Sequence, residues 1–150
     1  MGYGVDFSKN EFTEEDCEKI ITETTRIINE EKQNIMEVGT AYYNRGVIYY
    51  KKKEDDKAIT DFTKAIEIMP DYAQAYFMRA SSYYKFYEDE KALNDAQKAL
   101  QLDETNSKYA DFLLKLIEMN KDREQKIKKM IDNLLKGYEI FQEILNNNKQ

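Results

Sequence analysis

The feature that most constrains this chain is an internal repeat of 34 residues. Residues 39–72 and 73–106 align without gaps, and 13 of the 34 aligned positions are identical. The longest shared run is Tyr-Tyr-Lys, which stands at 49–51 and again at 83–85. A period of this length is typical of proteins in which one small structural unit is stacked on copies of itself. The repeat therefore predicts two copies of a unit that buries its apolar face against a neighbour.

Each unit contains two segments with helical spacing of apolar and small residues. In the first unit Tyr42, Gly46 and Tyr49 share one face of a helix, and a second apolar face runs through residues 58–69. A charged turn separates the two segments. Pro70 then ends the second one, because proline has no amide hydrogen and cannot continue the hydrogen-bond ladder. Each unit is therefore predicted to be a helix, a turn and a second helix.

The composition excludes most catalytic and metal chemistry. The chain of 150 residues contains no histidine, which excludes His-dependent catalytic triads and His-ligated metals. Cys17 is the only cysteine, so no intrachain disulfide or CxxC motif is available and a reducing compartment is expected. With five glycines and one proline, the chain has little material for phosphate-binding loops. We expect no enzyme activity, no cofactor and no metal site.

The charge and hydropathy patterns bear on location and partners. The net charge is −6, and residues 1–38 are the most acidic part of the chain, which disfavours nucleic acid as a ligand. No segment is long and apolar enough for a membrane helix, and residues 1–40 lack the pattern of a signal or transit peptide. We expect an intracellular, cytoplasmic protein that neither binds nucleic acid nor inserts into membranes.

The two repeated segments identify a family resemblance. AYYNRGVIYYKKKEDDKAITDFTKAIEIMPD and AYFMRASSYYKFYEDEKALNDAQKALQLDET resemble the tetratricopeptide repeat in period, turn position and order of small and large residues. The second repeat departs from the family pattern at Ala96, where a large residue is common, and at Glu104, where proline is common. The resemblance implies an all-α fold, a right-handed α-solenoid of about seven helices forming a single domain over residues 1–150.

The ends of a stack of repeats need caps with a polar outer face. The segments on both sides of the two repeats are predicted to provide these caps. Residues 1–38 form the N-terminal flank, in which Thr13 is the predicted cap of an amphipathic helix over 13–33. Residues 107–150 are predicted to be a degenerate repeat followed by a long C-terminal capping helix, with a break at 120–122. The alternative, that this last helix extends to a partner helix, stays open.

The resemblance also implies a binding site. In this family the first helices of successive repeats line a concave groove that holds a peptide or a helix of another protein. Stiff, amphipathic aromatic side chains suit such a ligand. The predicted groove residues are Tyr43, Asn44, Val47 and Tyr50 in the first repeat, Phe77, Met78, Ser81 and Tyr84 in the second, and Lys108 and Phe112 beyond it. The alternative is that the chain's own terminal helix covers these rings.

One binding mode of the family finds little support in these residues. That mode holds the acidic C-terminal tail of heat-shock chaperones with Lys, Asn and Arg side chains. Tyr43 and Val47 stand where the mode needs Lys and Asn, and Met78 stands where it needs Asn. Lys108 fits, but Phe112 replaces the last basic residue. Since a carboxylate needs charge-assisted donors, we expect an apolar or helical ligand instead.

The function that this reading predicts is a non-catalytic adaptor that binds a peptide or helix of a partner protein. Two alternatives stay open. One is a structural subunit held permanently in a larger multiprotein assembly, and the other is a small export or assembly chaperone.

Overall fold

The structure, a computed structural model, describes residues 12–30 and 34–147. Every regular element within those ranges is an α-helix, and six helices are present. In chain order they are α1 (Glu14–Asn29), α2 (Ile35–Lys51), α3 (Asp55–Ile68), α4 (Ala73–Lys85), α5 (Asp89–Leu102) and α6 (Ser107–Asn147). The predicted all-α class is confirmed.

The first helix begins where the sequence predicts. Thr13 is the N-cap of α1, and its hydroxyl oxygen accepts a hydrogen bond from the Asp16 amide at 3.1 Å. The Asp16 carboxylate in turn accepts one from the Thr13 amide, also at 3.1 Å. This reciprocal capping box satisfies two amides that a helix start leaves without partners. The helix ends earlier than the predicted residue 33, because α1 stops at Asn29 and the backbone of its C-cap, Glu30, is extended; residues 31–33 lie outside the described residues.

Each repeat folds as a helix hairpin closed by the same turn. Lys53 and Tyr87 stand 34 residues apart, one residue past the C-caps of α2 and α4, and both adopt left-handed backbone angles, with φ of 61° and 58°. The next amide, of Glu54 or Glu88, donates to the carbonyl of Tyr49 or Tyr83 at 2.9 and 3.1 Å. This pairing satisfies the last carbonyls of the helix and reverses the chain.

Small residues allow the paired helices to pack closely. Ala58, Ala65, Ala92 and Ala99, on α3 and α5, are all fully buried. Phe62 is also fully buried and fills the space beside Val47 and Ala58 in the first hairpin. The predicted packing of large against small side chains follows from this arrangement.

A buried ion pair recurs in each hairpin. Arg45 donates two hydrogen bonds to Asp61 at 2.7 and 2.8 Å, and Arg79 donates two to Asp95 at 2.7 and 2.9 Å. A third donor atom of each arginine reaches a threonine on the preceding helix at 3.0 Å, Thr25 on α1 or Thr63 on α3. Helix α1 therefore stands to α2 as α3 stands to α4, in the place of a repeat's second helix.

The last helix differs from the prediction. The expected break at 120–122 is absent, because α6 runs without interruption from Ser107 to Asn147. Residues 120–122 include neither proline nor glycine, and Asn, Lys and Asp are only mildly unfavourable inside a helix. The described chain therefore has one helix fewer than the roughly seven expected.

The contacts divide the chain between Leu113 and Leu114. The first unit contains α1 to α5 and the first two turns of α6, and the second contains the rest of α6. The capping role of residues 107–150 stays a prediction.

Candidate functional site

The ten predicted groove residues lie on α2, on α4 and in the first two turns of α6, all within the first unit. Corresponding positions on these helices are 34 residues apart, so the repeat itself places them in rows. Their exposure differs strongly from one helix to the next.

On α2, three of the four predicted residues are largely withdrawn into the interior. Asn44 and Val47 are 8% and 6% exposed. The ring of Tyr43 packs between two others, with its centroid 5.9 Å from that of Phe62 and 4.8 Å from that of Tyr72. These side chains offer a ligand little surface and mainly support the first hairpin.

Tyr43 and its neighbour Tyr72 are neutral. Burial raises the pKa of Tyr43 far above its usual value, and the neighbouring Tyr72 and Tyr109 raise it further. Burial also raises the pKa of Tyr72 to about 12, with a smaller contribution from Tyr109. Since all titration lies well above physiological pH, these hydroxyls remain protonated and present no charge to a ligand.

A cluster of rings joins α4 to the start of α6. The centroids of Phe77 and Phe112 are 5.2 Å apart with the planes at 73°, and those of Tyr84 and Phe112 are 6.3 Å apart at 88°. These are edge-to-face contacts, the geometry that the ring quadrupole favours. The ring centroid of Phe77 also lies 4.9 Å from that of Tyr109, which is buried with Ala73 and Ala99 in a cluster that we call the second core cluster. The rings of Phe77, Tyr84 and Phe112 are half-buried, so each keeps an accessible edge.

Tyr50 extends this ring surface from α4 to α2. Its ring is half-buried, and the Lys85 ammonium lies 3.5 Å from the ring centroid. Lys85 also forms an ion pair with Asp55 at 2.9 Å. We call Tyr50, Phe77, Tyr84 and Phe112 the aromatic face.

Lys85 is a functional candidate that the sequence analysis missed. The signal for it was present in the repeat, because Lys51 occupies the same position one period earlier. Lys51 makes the corresponding contact, with its ammonium 4.4 Å from the ring of Phe12. In both repeats the lysine that ends the first helix therefore lies over an aromatic ring from an earlier part of the chain, Phe12 for Lys51 and Tyr50 for Lys85. Such cation–π contacts are strongest where water is excluded.

The remaining predicted residues surround the aromatic face. Met78 packs against the core cluster of the first hairpin, and the Ser81 hydroxyl donates to the Phe77 carbonyl at 2.9 Å. Lys108 is exposed and contributes one cation near the start of α6. The site is therefore mainly aromatic, with Lys85 and Lys108 at its margins.

No metal-binding or membrane-spanning feature was found in the part of the chain that the structure describes. Within 12–30 and 34–147, no three Cys, Asp or Glu side chains are grouped so that they could hold a metal ion. None of the helices in these ranges combines the length and the apolar character needed to cross a membrane.

Comparison with known proteins supports one family. Residues 39–72 match the family model of the tetratricopeptide repeat. The first TPR of Spaghetti (RPAP3) bound to HSP90 peptide SRMEEVD is similar in structure, with a TM-score of 0.63 at 21% identity, covering 70% of this chain and 82% of that one. The second TPR domain of human RPAP3, in complex with HSP70 peptide SGPTIEEVD, has a TM-score of 0.60 at 25% identity, with coverage of 69% and 82%. The Arabidopsis OM64 TPR domain has a TM-score of 0.61 at 24% identity, with coverage of 68% and 81%. No curated protein matches the chain in sequence.

Proposed function

We propose that this chain, a tetratricopeptide repeat protein, is a non-catalytic adaptor whose aromatic face binds an apolar or helical segment of a partner protein. The observation that carries the proposal is the half-buried ring cluster of Phe77, Tyr84 and Phe112, continued by Tyr50. Rings held by edge-to-face contacts lose little conformational freedom on binding. They can therefore anchor a ligand at low entropic cost.

The chemistry of this surface favours an apolar ligand over an acidic tail. Similar domains of RPAP3 were determined with peptides that end in EEVD. In this chain Asn44 and Val47 are buried, Tyr43 is neutral, and Phe112 belongs to the ring cluster. A carboxylate at this surface would meet few charged donors, and its desolvation would go uncompensated.

A peptide selection tests the proposal. The full chain is immobilised and used to select binders from a displayed peptide library, and their affinities are measured by fluorescence anisotropy beside SRMEEVD. We expect selected peptides to carry apolar residues at helical spacing and to bind more tightly than SRMEEVD. Tyr50→Ala combined with Tyr84→Ala should weaken binding about tenfold or more, since both rings are anchors.

The control is Tyr87→Ala, in the turn between α4 and α5. Tyr87 is 77% exposed and lies outside the aromatic face, so the substitution should leave the affinities unchanged. Circular dichroism verifies that the double variant remains folded. Tighter binding of SRMEEVD, or equal affinities of the double variant and the wild type, would refute the proposal.

A structural subunit of a larger assembly is the second candidate. It is favoured by large apolar side chains on α6 beyond residue 113, which are between 47% and 67% exposed. Under this alternative the two aromatic substitutions leave assembly intact, whereas truncation after residue 120 disrupts it. An assembly chaperone would use the aromatic face as an adaptor does. We propose a cytoplasmic location for each role, on the evidence of one free cysteine.

A further inference from the structure

We propose that α6 pairs with α6 of a second copy of this chain, in the antiparallel direction. The surface concerned is an apolar stripe on the second unit. It consists of large side chains between 47% and 67% exposed, namely Ile117, Ile127, Met130, Ile131, Leu134 and Leu135. Soluble proteins rarely expose so many contiguous apolar side chains without a partner.

The spacing of the stripe matches that of helices that pair with other helices. Ile127, Ile131 and Leu134 follow one another by four and three residues, and the sequence continues this alternation at 138, 141 and 145. Such spacing keeps one face toward a partner helix over many turns. The opposite face is mostly polar, with Gln125, Lys129 and Asn133, although the exposed apolar side chains of Leu114 and Ile140 also fall on it.

The distribution of charge along α6 identifies the partner and its direction. Residues 114–129 contain six Lys or Arg and three Asp or Glu, whereas 130–147 contain one Lys and three Asp or Glu. An antiparallel second copy places each basic half beside an acidic half. A parallel copy would place like charges together, which is destabilising. The helix therefore complements itself in one direction only.

The length of the segment is sufficient for a stable pair. Residues 114–147 of α6 extend over about 50 Å at the usual helical rise. The continuous 4–3 spacing runs from Ile127 to position 145, which is about three repeats of seven residues and at the lower end of the roughly three to four at which coiled-coil pairing becomes credible.

The test is the mass of the full chain in solution. Sedimentation equilibrium at micromolar concentrations should show a dimer of twice 17.8 kDa. Ile131→Glu combined with Leu134→Glu should convert it to a monomer, because the charges fall within the stripe. The control, Gln125→Glu combined with Asn133→Glu, adds the same charge to the opposite face and should remain dimeric. A monomeric wild type, or equal dissociation of both double variants, would overturn the proposal.

A second measurement tests the direction of pairing. A spin label is attached at Lys121→Cys in a Cys17→Ala background, and the distance between the two labels of a dimer is measured. Parallel helices would hold the labels about one helix spacing apart, roughly 10 Å. Antiparallel helices place them at opposite ends of the contact, more than about 20 Å apart. The longer distance is expected, and the shorter one would contradict the antiparallel arrangement.

Discussion

Gly46 of α2 lies close against the ring of Phe62 of α3. A Cβ atom built on Gly46 would lie 2.8 Å from Cε1 and 2.9 Å from Cδ1 of Phe62, whose ring is fully buried. One period later the corresponding positions hold Ala80 and Ala96, both fully buried. The two repeats therefore combine side chains differently at the same contact, glycine with phenylalanine in one and two alanines in the other.

This contact gives the first prediction. Gly46→Ala should destabilise the protein by about 1–2 kcal/mol, because overpacking against a rigid ring outweighs the better helix propensity of alanine. Gly39→Ala in the same helix is the matched control. Its Cβ would lie 2.8 Å from the flexible tip of Met69, which can move aside, and 3.0 Å from Cγ2 of Ile68, so its clash is milder than that with the Phe62 ring. Urea unfolding of both variants measures the difference, and an equal loss in the two would contradict the steric explanation.

At the scale of single elements, the ends of α2 and α4 show how the repeat fixes its own turn. Lys53 and Tyr87 adopt positive φ, a conformation that residues with a Cβ atom rarely take. Neither is glycine, which is the usual residue at this position of a helix end. The hairpin geometry is therefore maintained against a local backbone preference.

The second prediction follows from that preference. Lys53→Gly should raise the free energy of unfolding by up to about 1 kcal/mol, since glycine adopts left-handed angles without steric cost. Lys98→Gly, at an exposed position within α5, is the control and should lower it by about 1 kcal/mol. Thermal unfolding of the two variants gives the comparison. Destabilisation by Lys53→Gly would show that the lysine side chain itself stabilises the turn.

At the largest scale, the helices of the first unit pack one after another in chain order. Helix α1 packs on α2, α2 on α3, α3 on α4 and α4 on α5. The hydrogen bonds that Arg45 and Arg79 donate to Thr25 and Thr63 link each hairpin to the helix before it. In such an arrangement stability is approximately a sum over neighbouring contacts, so damage should remain partly local.

Hydrogen exchange tests this locality. Phe62→Ala should cost about 3–5 kcal/mol, because it leaves a cavity in a fully buried site. Amides of α2 and α3 should lose more protection than those of α5. Leu100→Ala is the matched variant in the second hairpin, because Leu100 packs against the second core cluster. In this variant the amides of α5 should lose more protection than those of α2. Equal losses across all helices in both variants would indicate that the unit unfolds as a single cooperative block.

Local patterns predicted most of the fold. The 34-residue period, the charged turns and the Thr13 capping box each depend on residues close in sequence, and the helices begin and end near the predicted positions. The prediction of a helix break at 120–122 was wrong, because these polar residues do not end a helix when neither proline nor glycine stands among them. Helix α1 gave no sequence sign of its equivalence to α3, since Thr25 and Thr63 are 38 residues apart rather than 34.

The sequence by itself determined the period, the helices and the row of positions that could form a groove, because spacing along a helix fixes which residues share a face. Only the tertiary structure decided which of those side chains remain accessible. Tyr43 is enclosed by Phe62 and Tyr72 from other parts of the chain, whereas Tyr84 and Phe112 meet at the surface. Burial depends on what packs against a residue from a distance, and no local pattern contains that information.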